Sequence, residues 1–197
     1  MKENFLSFVS ARQGHFQFES GHHGDLWLDL QTLCLHSREL RPFVAQLAAK
    51  LSRHNVEVVC GPLVEGAFIA LLVSLELGCD FVYAERFANA GRDGLFPVEY
   101  DLPKALHRAV KGKRVAIVND VISAGSAVRG ALADLREIGA DVAAIGALLV
   151  LGDSFAAFAV GQHVVLEYIQ KMPHNLWTPA ECPLCVAGVP LEFLATS

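Results

Sequence analysis

The chain has 197 residues, of which 53% are hydrophobic and 19% charged, and its formal net charge is −5. This length is enough for one domain with a full core, while the acidic balance argues against a nucleic-acid partner, which needs a basic face. The most apolar stretch, residues 142–152, is shorter than the roughly 20 residues that span a bilayer. The first residues lack the apolar segment of a signal peptide, so the expected location is cytoplasmic.

Apolar periodicity predicts the elements in chain order. They are a short helix at 3–12, strands at 15–19 and 25–31 around a turn at 20–24, a helix at 37–51 with Pro42 in its first turn, a strand at 56–60, a loop at 61–66, a helix at 67–77, a strand at 81–84, a polar stretch at 85–101, a helix at 102–110, a strand at 114–118, a helix at 126–138 and a strand at 142–151.

From residue 56 onward, predicted strands alternate with predicted helices. This order is typical of an α/β fold whose mostly parallel sheet is flanked by helices. In such sheets ligands bind beyond the carboxyl ends of the strands. We therefore expect the loops at 61–66, 85–101, 119–126 and 152–154 to face one crevice.

The segment at 115–126 is the most informative part of the chain. Four apolar residues run into Asn119-Asp120-Val121-Ile122-Ser123-Ala124-Gly125-Ser126, and a helical pattern follows. Free N–H groups of such a turn and of a helix N-terminus suit a phosphate, while Asn119 and Asp120 suit sugar hydroxyls. The alternative is an ordinary strand-to-helix turn capped by Ser126.

This segment resembles the PRPP-binding motif of type I phosphoribosyltransferases, with Asn119 at the first of two usually acidic positions. Other segments are similar to orotate phosphoribosyltransferases in the same order along the chain: Gly14-His15-Phe16 with Ser20-Gly21-His22-His23, Gly61-Pro62-Leu63-Val64-Glu65-Gly66, Phe81-Val82-Tyr83-Ala84, and the tail from Glu181-Cys182-Pro183-Leu184-Cys185 to Glu192. The resemblance implies one domain over residues 1–197, with a core at about 37–160 and a hood at about 1–36 and 161–197.

The resemblance also implies an activity and a set of site residues. The activity is Mg²⁺-dependent transfer between PRPP and a nitrogenous base, with orotate as the first guess, in a homodimer without a nucleic-acid or membrane partner. The implied catalytic residues are Asp120, Arg86 and Arg92, and Mg²⁺ would be bound with PRPP, with Asp120 and Glu65 as further candidates. The implied substrate-binding residues are Asn119, Asp120, Ser123, Ala124, Gly125, Ser126, Gly61, Pro62, Glu65, Gly66, Ser20 and Trp27.

Several positions depart from the family pattern, and most of them lose a positive charge. Glu19 and Glu65 stand where lysines are usual, and the stretch at 85–101 carries Arg86 and Arg92 among four acidic residues. Gly152-Asp153 replaces an Asp-Arg pair, and Leu28 replaces one of two aromatics beside the base. Glu19 and Glu65 are either extra ligands for Mg²⁺ or hydroxyls, or solvated loop carboxylates.

The cysteines and histidines leave alternatives open. Cys182 and Cys185 form a single CxxC pair, compatible with structural thiols, a metal or redox chemistry. His163 and His174, the nearest candidate partners in sequence, form no second paired motif, so no protein zinc site is expected. His15, His22 and His23 are either turn and hood residues or acid–base groups near the base, and Trp27 is either a core residue or a stacking surface.

These observations lead to two hypotheses of different classes. The first is an orotate-phosphoribosyltransferase-like enzyme. The second is a non-catalytic or regulatory protein that binds a phosphorylated sugar or nucleotide in the same pocket.

Overall fold

In the computed structural model, which describes residues 5–88 and 94–193, two sheets are built from separate parts of the chain. The larger sheet has six strands in the order β5-β4-β3-β6-β7-β8. These strands are β3 (Val58–Pro62), β4 (Asp80–Ala88), β5 (Val98–Asp101), β6 (Arg114–Ile122), β7 (Asp141–Leu151) and β8 (Val165–Met172). All neighbouring pairs are parallel except β4 with β5.

Within the described residues, five of the six α-helices and two buried clusters complete the larger unit, and the sixth helix lies beside the smaller sheet. The helices are α1 (Ser37–Leu51), α2 (Glu65–Leu77), α3 (His107–Val110), α4 (Ser126–Ile138), α5 (Ser154–Gly161) and α6 (Pro183–Val186). One cluster joins α1 and α2 to the sheet and the other joins α4 and α5 to it. The mostly parallel sheet flanked by helices is therefore confirmed, and both faces are covered as the strand–helix alternation requires.

The smaller sheet, which we call the hood, combines the two ends of the described chain. Its order is β10-β1-β2-β9, with β1 (Ser10–Gln17), β2 (His23–Asp29), β9 (Leu176–Trp177) and β10 (Glu192–Phe193). The helix predicted at 3–12 is wrong. A 3-10 helix covers only Phe5–Phe8, and the polar residues from Ser10 join β1 because they pair with β2.

Three further boundaries differ from the sequence prediction. The polar stretch at 85–101 is in part the β4–β5 hairpin, because its backbone pairs from Glu85 to Ala88 with 98–101. Residues 165–172 form an edge strand of the six-stranded sheet, so the core extends past the boundary expected at about 160. Pro42 lies in the second turn of α1, because the helix already begins at Ser37.

Among the described residues, no helix combines the length and apolarity that crossing a bilayer requires.

Candidate functional site

The turn between β6 and α4 lies at the carboxyl edge of the sheet, at the centre of the strand order. In the described part of the chain, the backbone N–H groups of residues 123–126 donate no hydrogen bond to another protein group. The hydroxyl Oγ of Ser123 is buried and likewise has no hydrogen-bond partner among these residues. The turn therefore offers unused donors beside a helix N-terminus, which suits an anion.

Gly125 gives this turn its shape. It precedes α4 in the left-handed conformation, with φ of +78°, and a Cβ at this position would collide with the ring of Phe155. Only glycine satisfies both conditions without strain. The residue that allows the turn is thus held against a core phenylalanine rather than in open solvent.

Asp120 is almost fully buried, with 4% of its surface exposed. Burial raises the pKa of its carboxyl group to about 7, and repulsion from Glu65 acts in the same direction, while a hydrogen bond from the Val121 backbone lowers it. An aspartate in this state can both donate and accept hydrogen bonds near neutral pH.

The loop after β3 packs directly against the β6–α4 segment. Gly66 has no room for a side chain, because a Cβ there would collide with Oδ1 of Asn119. The Asn119 side chain is oriented by its amide, which donates to the Val121 carbonyl oxygen at 2.8 Å. Gly61 and Pro62 belong to the end of β3, so the loop is shorter than predicted.

Glu19 is not a free carboxylate. Arg86 Nε donates to Glu19 Oε2 at 2.8 Å, and the Tyr100 hydroxyl donates to Glu19 Oε1 at 3.1 Å. Arg86 lies in β4, so the cation expected from a loop is instead paired with the acid that replaces the family's lysine. Burial and Glu19 raise the pKa of Tyr100. Arg92, the other predicted catalytic arginine, lies outside the described residues.

Arg129 is a residue that the sequence analysis missed. Its Nε donates to the Ala124 carbonyl oxygen at 2.8 Å, and its guanidinium lies 3.7 Å from the ring centroid of Phe158. Burial lowers its pKa. Its position could have been predicted from its spacing in the sequence. A residue four positions after Gly125 lies one helical turn beyond the turn at 123–126.

The hood turn reaches the same region through Phe96. The Phe96 N–H donates to the Ser20 carbonyl oxygen at 2.9 Å, and its ring contacts both His22 and Arg129. The Ser20 hydroxyl is engaged locally with His22 Nδ1 at 3.0 Å. Ser20 is therefore close to the β4–β5 hairpin, and its backbone carbonyl makes the link.

Trp27 and Leu28 lie on opposite faces of β2. Leu28 belongs to the buried cluster under α1, whereas Trp27 is half-buried and stacks on Phe18 with the ring planes 7° apart. The aromatic that is absent at Leu28 has thus been replaced by a core residue.

A cavity of about 330 Å³ lies at the end of β7 and includes Gly152, Asp153 and His174. Lys171 forms an ion pair with Asp153. The side chain of His174 is buried, and within the described chain neither ring nitrogen has a hydrogen-bond partner. Burial lowers its pKa, while the Asp25 carboxylate, 3.9 Å from Nδ1, acts in the opposite direction. A larger cavity of about 810 Å³ runs along α4 and β5 and meets the turn only at Ser126.

Comparison with known proteins gives consistent results. A family model described as a phosphoribosyl transferase domain matches residues 36–156. An orotate phosphoribosyltransferase of Caldanaerobacter subterraneus subsp. tengcongensis is 29% identical over 189 residues, covering 96% of this chain and 92% of the relative.

Solved structures show the same architecture. Orotate phosphoribosyltransferase from Aeropyrum pernix superposes with a TM-score of 0.64 at 20% identity, covering 85% of this chain and 94% of that one. An adenine phosphoribosyltransferase from Giardia lamblia, solved with 9-deazaadenine, gives a TM-score of 0.66 at 16% identity over 85% and 96% of the two chains.

The sheet, its covering helices and the β6–α4 turn define the type I phosphoribosyltransferase class of fold. The resemblance stated from sequence is therefore confirmed. Because the matched segment spans more than half of its length, the chain belongs to the phosphoribosyl transferase domain family.

Proposed function

We propose that this protein is a phosphoribosyltransferase that transfers the phosphoribosyl group between PRPP and a nitrogenous base, with orotate as the first candidate. The observation that carries the proposal is the turn at 123–126, where unused N–H donors meet the start of α4 beside Asp120. During transfer the anomeric carbon loses its bond to pyrophosphate and gains one to the base nitrogen, through an oxocarbenium-like state.

Each part of the crevice has a task in this proposal. Residues Ser123 to Ser126 bind the 5′-phosphate through backbone N–H groups and the helix N-terminus. Asn119 and Asp120 bind the ribose hydroxyls, since both present oxygens beside the turn. Gly61, Pro62 and Gly66 border the pyrophosphate, and the two glycines allow the close packing of β3 on α2 and on Asn119 that shapes this border.

The oxygen donors present fit Mg²⁺. Asp120 and Glu65 are close enough for Glu65 to raise the pKa of the Asp120 carboxyl, and hard divalent cations prefer carboxylate oxygens. These two residues would hold the ion together with PRPP, and the ion would neutralise charge on the leaving pyrophosphate. Binding a cation here also offsets the repulsion between the two acids.

The charge at the hood side is less unfavourable than the sequence suggests. Glu19 is neutralised by Arg86, so it does not act as an isolated repulsive charge on a phosphate. Arg129 adds a cation at the turn. Arg129 thus replaces part of the positive charge that the family usually supplies through lysines, whereas the Glu19–Arg86 pair carries no net charge.

Orotate is favoured as the base by the relatives that cover nearly the whole chain, several of which carry that activity in their names. Its carboxylate needs a cation or donor. Lys171 and His174 lie at the 330 Å³ cavity or beside it, which makes this end of β7 the proposed carboxylate side of the base pocket.

The test is orotidine monophosphate synthesis from PRPP and orotate, with Gly125→Ala as the diagnostic variant. Its Cβ would collide with Phe155, and we expect at least a hundredfold loss in kcat/KM. Gly139→Ala is the matched control, because Gly139 ends the same helix with φ of +93° and a Cβ there would meet only the Lys111 side chain, at 4.0 Å. Equal activity of the two variants would contradict the proposed role of the turn.

The alternative is a non-catalytic protein that binds a phosphorylated sugar or nucleotide. The acidic Glu65 beside the crevice is the observation that favours it. Calorimetry with PRPP and orotidine monophosphate, with and without Mg²⁺, separates the two functions. Binding without pyrophosphate release across a panel of bases supports the alternative.

We further propose that the protein is a homodimer. Helix α2 and the residue before it expose an apolar stripe of Val64, Phe68, Leu71 and Leu75. The spacing of four, three and four residues places them on one face, and exposed apolar faces of this kind mark protein interfaces.

A further inference from the structure

Four potential metal ligands meet in the hood. His15 comes from β1 and His23 from β2, while Cys182 immediately precedes α6 and Cys185 lies within it. One nitrogen or sulfur atom from each residue lies within 4.8 Å of the corresponding atoms of the other three. Because His15 and Cys182 are 167 residues apart, the CxxC spacing alone could not identify its partners.

The distances between these atoms fit a single small ion. His15 Nε2 lies 3.1 Å from His23 Nδ1 and 3.3 Å from Cys182 Sγ, and Cys185 Sγ lies 3.2 Å from His23 Nδ1 and 3.7 Å from His15 Nε2. Zinc bonds of about 2.0–2.1 Å to nitrogen and 2.3 Å to sulfur give tetrahedral edges of about 3.3–3.8 Å. Four observed separations thus fall in or just below the range of a tetrahedral site.

The hydrogen bonding of His15 orients its ring for metal binding. Its Nδ1 lies 2.9 Å from the carbonyl oxygen of Val189, which can only accept, so Nδ1 carries the proton. In the neutral ring Nε2 then keeps its lone pair, directed at the cluster. A backbone carbonyl behind a ligating histidine is a common second partner in zinc sites.

Burial adds to this argument. His15, His23 and Cys182 are 1%, 5% and 0% exposed, whereas Cys185 is exposed. Two imidazoles and two thiols offer only weak, mismatched hydrogen bonds to each other, and buried polar groups need good partners. A bound cation would satisfy all four ligand atoms, and the exposed Cys185 leaves an entry path.

We propose that His15, His23, Cys182 and Cys185 form a structural zinc site. Two histidines and two cysteines with tetrahedral spacing are a ligand set that zinc prefers. A two-iron cluster would place the cysteine and histidine pairs on different irons, which the short cysteine–histidine distances disfavour. This proposal replaces the expectation from sequence that the CxxC pair has no metal-binding partners.

The role of the ion follows from the chain positions that it joins. The ion would connect the β1–β2 hairpin to the segment that precedes β10. Strand β10 itself pairs with β1, so the two connections reinforce each other. All four coordination positions come from the protein, so the site is closed and its role is structural. His23 follows His22, which contacts Phe96 and Ser20, so the ion would also hold the hood turn beside the crevice.

The first experiment measures the metal content of the full-length protein, purified without chelators under reducing conditions. We expect about one zinc per chain by plasma mass spectrometry. Cys182→Ser/Cys185→Ser should lose at least nine-tenths of the bound zinc. Cys79→Ser is the matched control, because this half-buried thiol lies outside the cluster, and it should keep the wild-type zinc content.

The second experiment uses the wild-type protein and so does not depend on the folding of a variant. Zinc is removed with a chelator and replaced with Co²⁺. Tetrahedral coordination by thiolates should give strong visible ligand-field bands and a thiolate-to-cobalt charge-transfer band. Those bands should be absent from the double variant and present in Cys79→Ser.

Three results would overturn the proposal: less than about a tenth of a zinc per chain in the wild type, an octahedral cobalt spectrum, or a Cys182–Cys185 disulfide in the reduced preparation. All of these readouts are independent of transferase activity. Failure of the zinc site is therefore distinguishable from failure of the proposed function.

Discussion

At the scale of single residues, Asp120 combines burial with a role that requires charge. Its carboxyl lies beside Glu65 and within a nearly closed environment. A protein gains stability by leaving such a group neutral, whereas cation and sugar binding favour the ionised form. Asp120 should therefore lower the free energy of unfolding of the ligand-free protein at pH values where its carboxyl group is ionised.

The variant Asp120→Asn tests this pH-dependent loss of stability. The folded-state pKa of Asp120 is raised to about 7, so its contribution to stability is complete below pH 4 and is lost as the pH rises through 7. The slope is about 1.4 kcal/mol per pH unit in that window. We expect the ligand-free variant to gain stability over the wild type at pH 8 but not at pH 5, measured by urea unfolding.

The exposed Asp80→Asn variant is the control for this measurement and should show no such pH-dependent gain. A stability difference between Asp120→Asn and wild type that stays constant from pH 5 to pH 8 would contradict the assignment.

The Glu19–Arg86 pair decides how much positive charge the hood side presents to a phosphate. Arg86→Gln leaves Glu19 without its cationic partner, and we expect the KM for PRPP to rise about fivefold, the equivalent of about 1 kcal/mol for a partly exposed ion pair. Glu19→Gln releases Arg86 and should lower KM. Steady-state kinetics at two salt concentrations measure both effects.

The double variant Glu19→Gln/Arg86→Gln should lie between the two single variants. If Arg86→Gln leaves KM unchanged at low salt, the pair has no electrostatic role in PRPP binding.

At the scale of elements, the β6–α4 segment could be predicted from sequence because the residues that determine its structure are neighbours in the chain. An apolar run, two polar residues and Gly125 predict a strand, a ligand edge and a helix start without reference to the rest of the chain. The prediction of α1 succeeded for the same reason, since its apolar positions are buried together.

Elements that depend on distant pairing were misread. Residues 10–14 carry no strand alternation and become β1 only through pairing with β2. The β4–β5 hairpin is polar, so its strands resemble a loop until their pairing is seen. The same limit applies to site residues: Glu19 and Arg86 are 67 residues apart, and only the fold brings them together.

Helix α2 provides a prediction at this scale. Leu75→Glu places a charge in the exposed apolar stripe, and we expect it to convert a dimer of the 21.3 kDa chain into a monomer. Light scattering coupled to size exclusion measures the mass. Val160→Glu is the matched control, because Val160 is equally exposed, at 74% against 70%, but lies on α5. A monomeric wild type, or a Leu75→Glu dimer, would refute the interface.

At the scale of the whole molecule, the hood is not a separate body resting on the core. Leu26 and Leu28 of β2 belong to the same buried cluster as α1 and the central strands. The opposite face of the hairpin carries Trp27 and the His15–His23 pair. One strand thus anchors the hood with one face and presents aromatic and ligand-forming side chains with the other.

Neighbouring substitutions in β2 should therefore have different consequences. Leu28→Ala removes a core side chain that is 8% exposed, and we expect a loss of about 2–5 kcal/mol in unfolding free energy with little change in the KM for the base. Trp27→Ala removes a half-buried stacking surface. It should cost about 1–2 kcal/mol in stability but raise the KM for orotate about tenfold.

Urea unfolding and steady-state kinetics on the same preparations provide both measurements. The comparison is matched because Trp27 and Leu28 are adjacent in β2 and differ mainly in the face of the strand on which their side chains lie. An unchanged orotate KM in Trp27→Ala would place Trp27 outside the base pocket. A raised KM in both variants would mean that the two faces of the hairpin are mechanically coupled, so that the core packing of Leu28 itself positions the base.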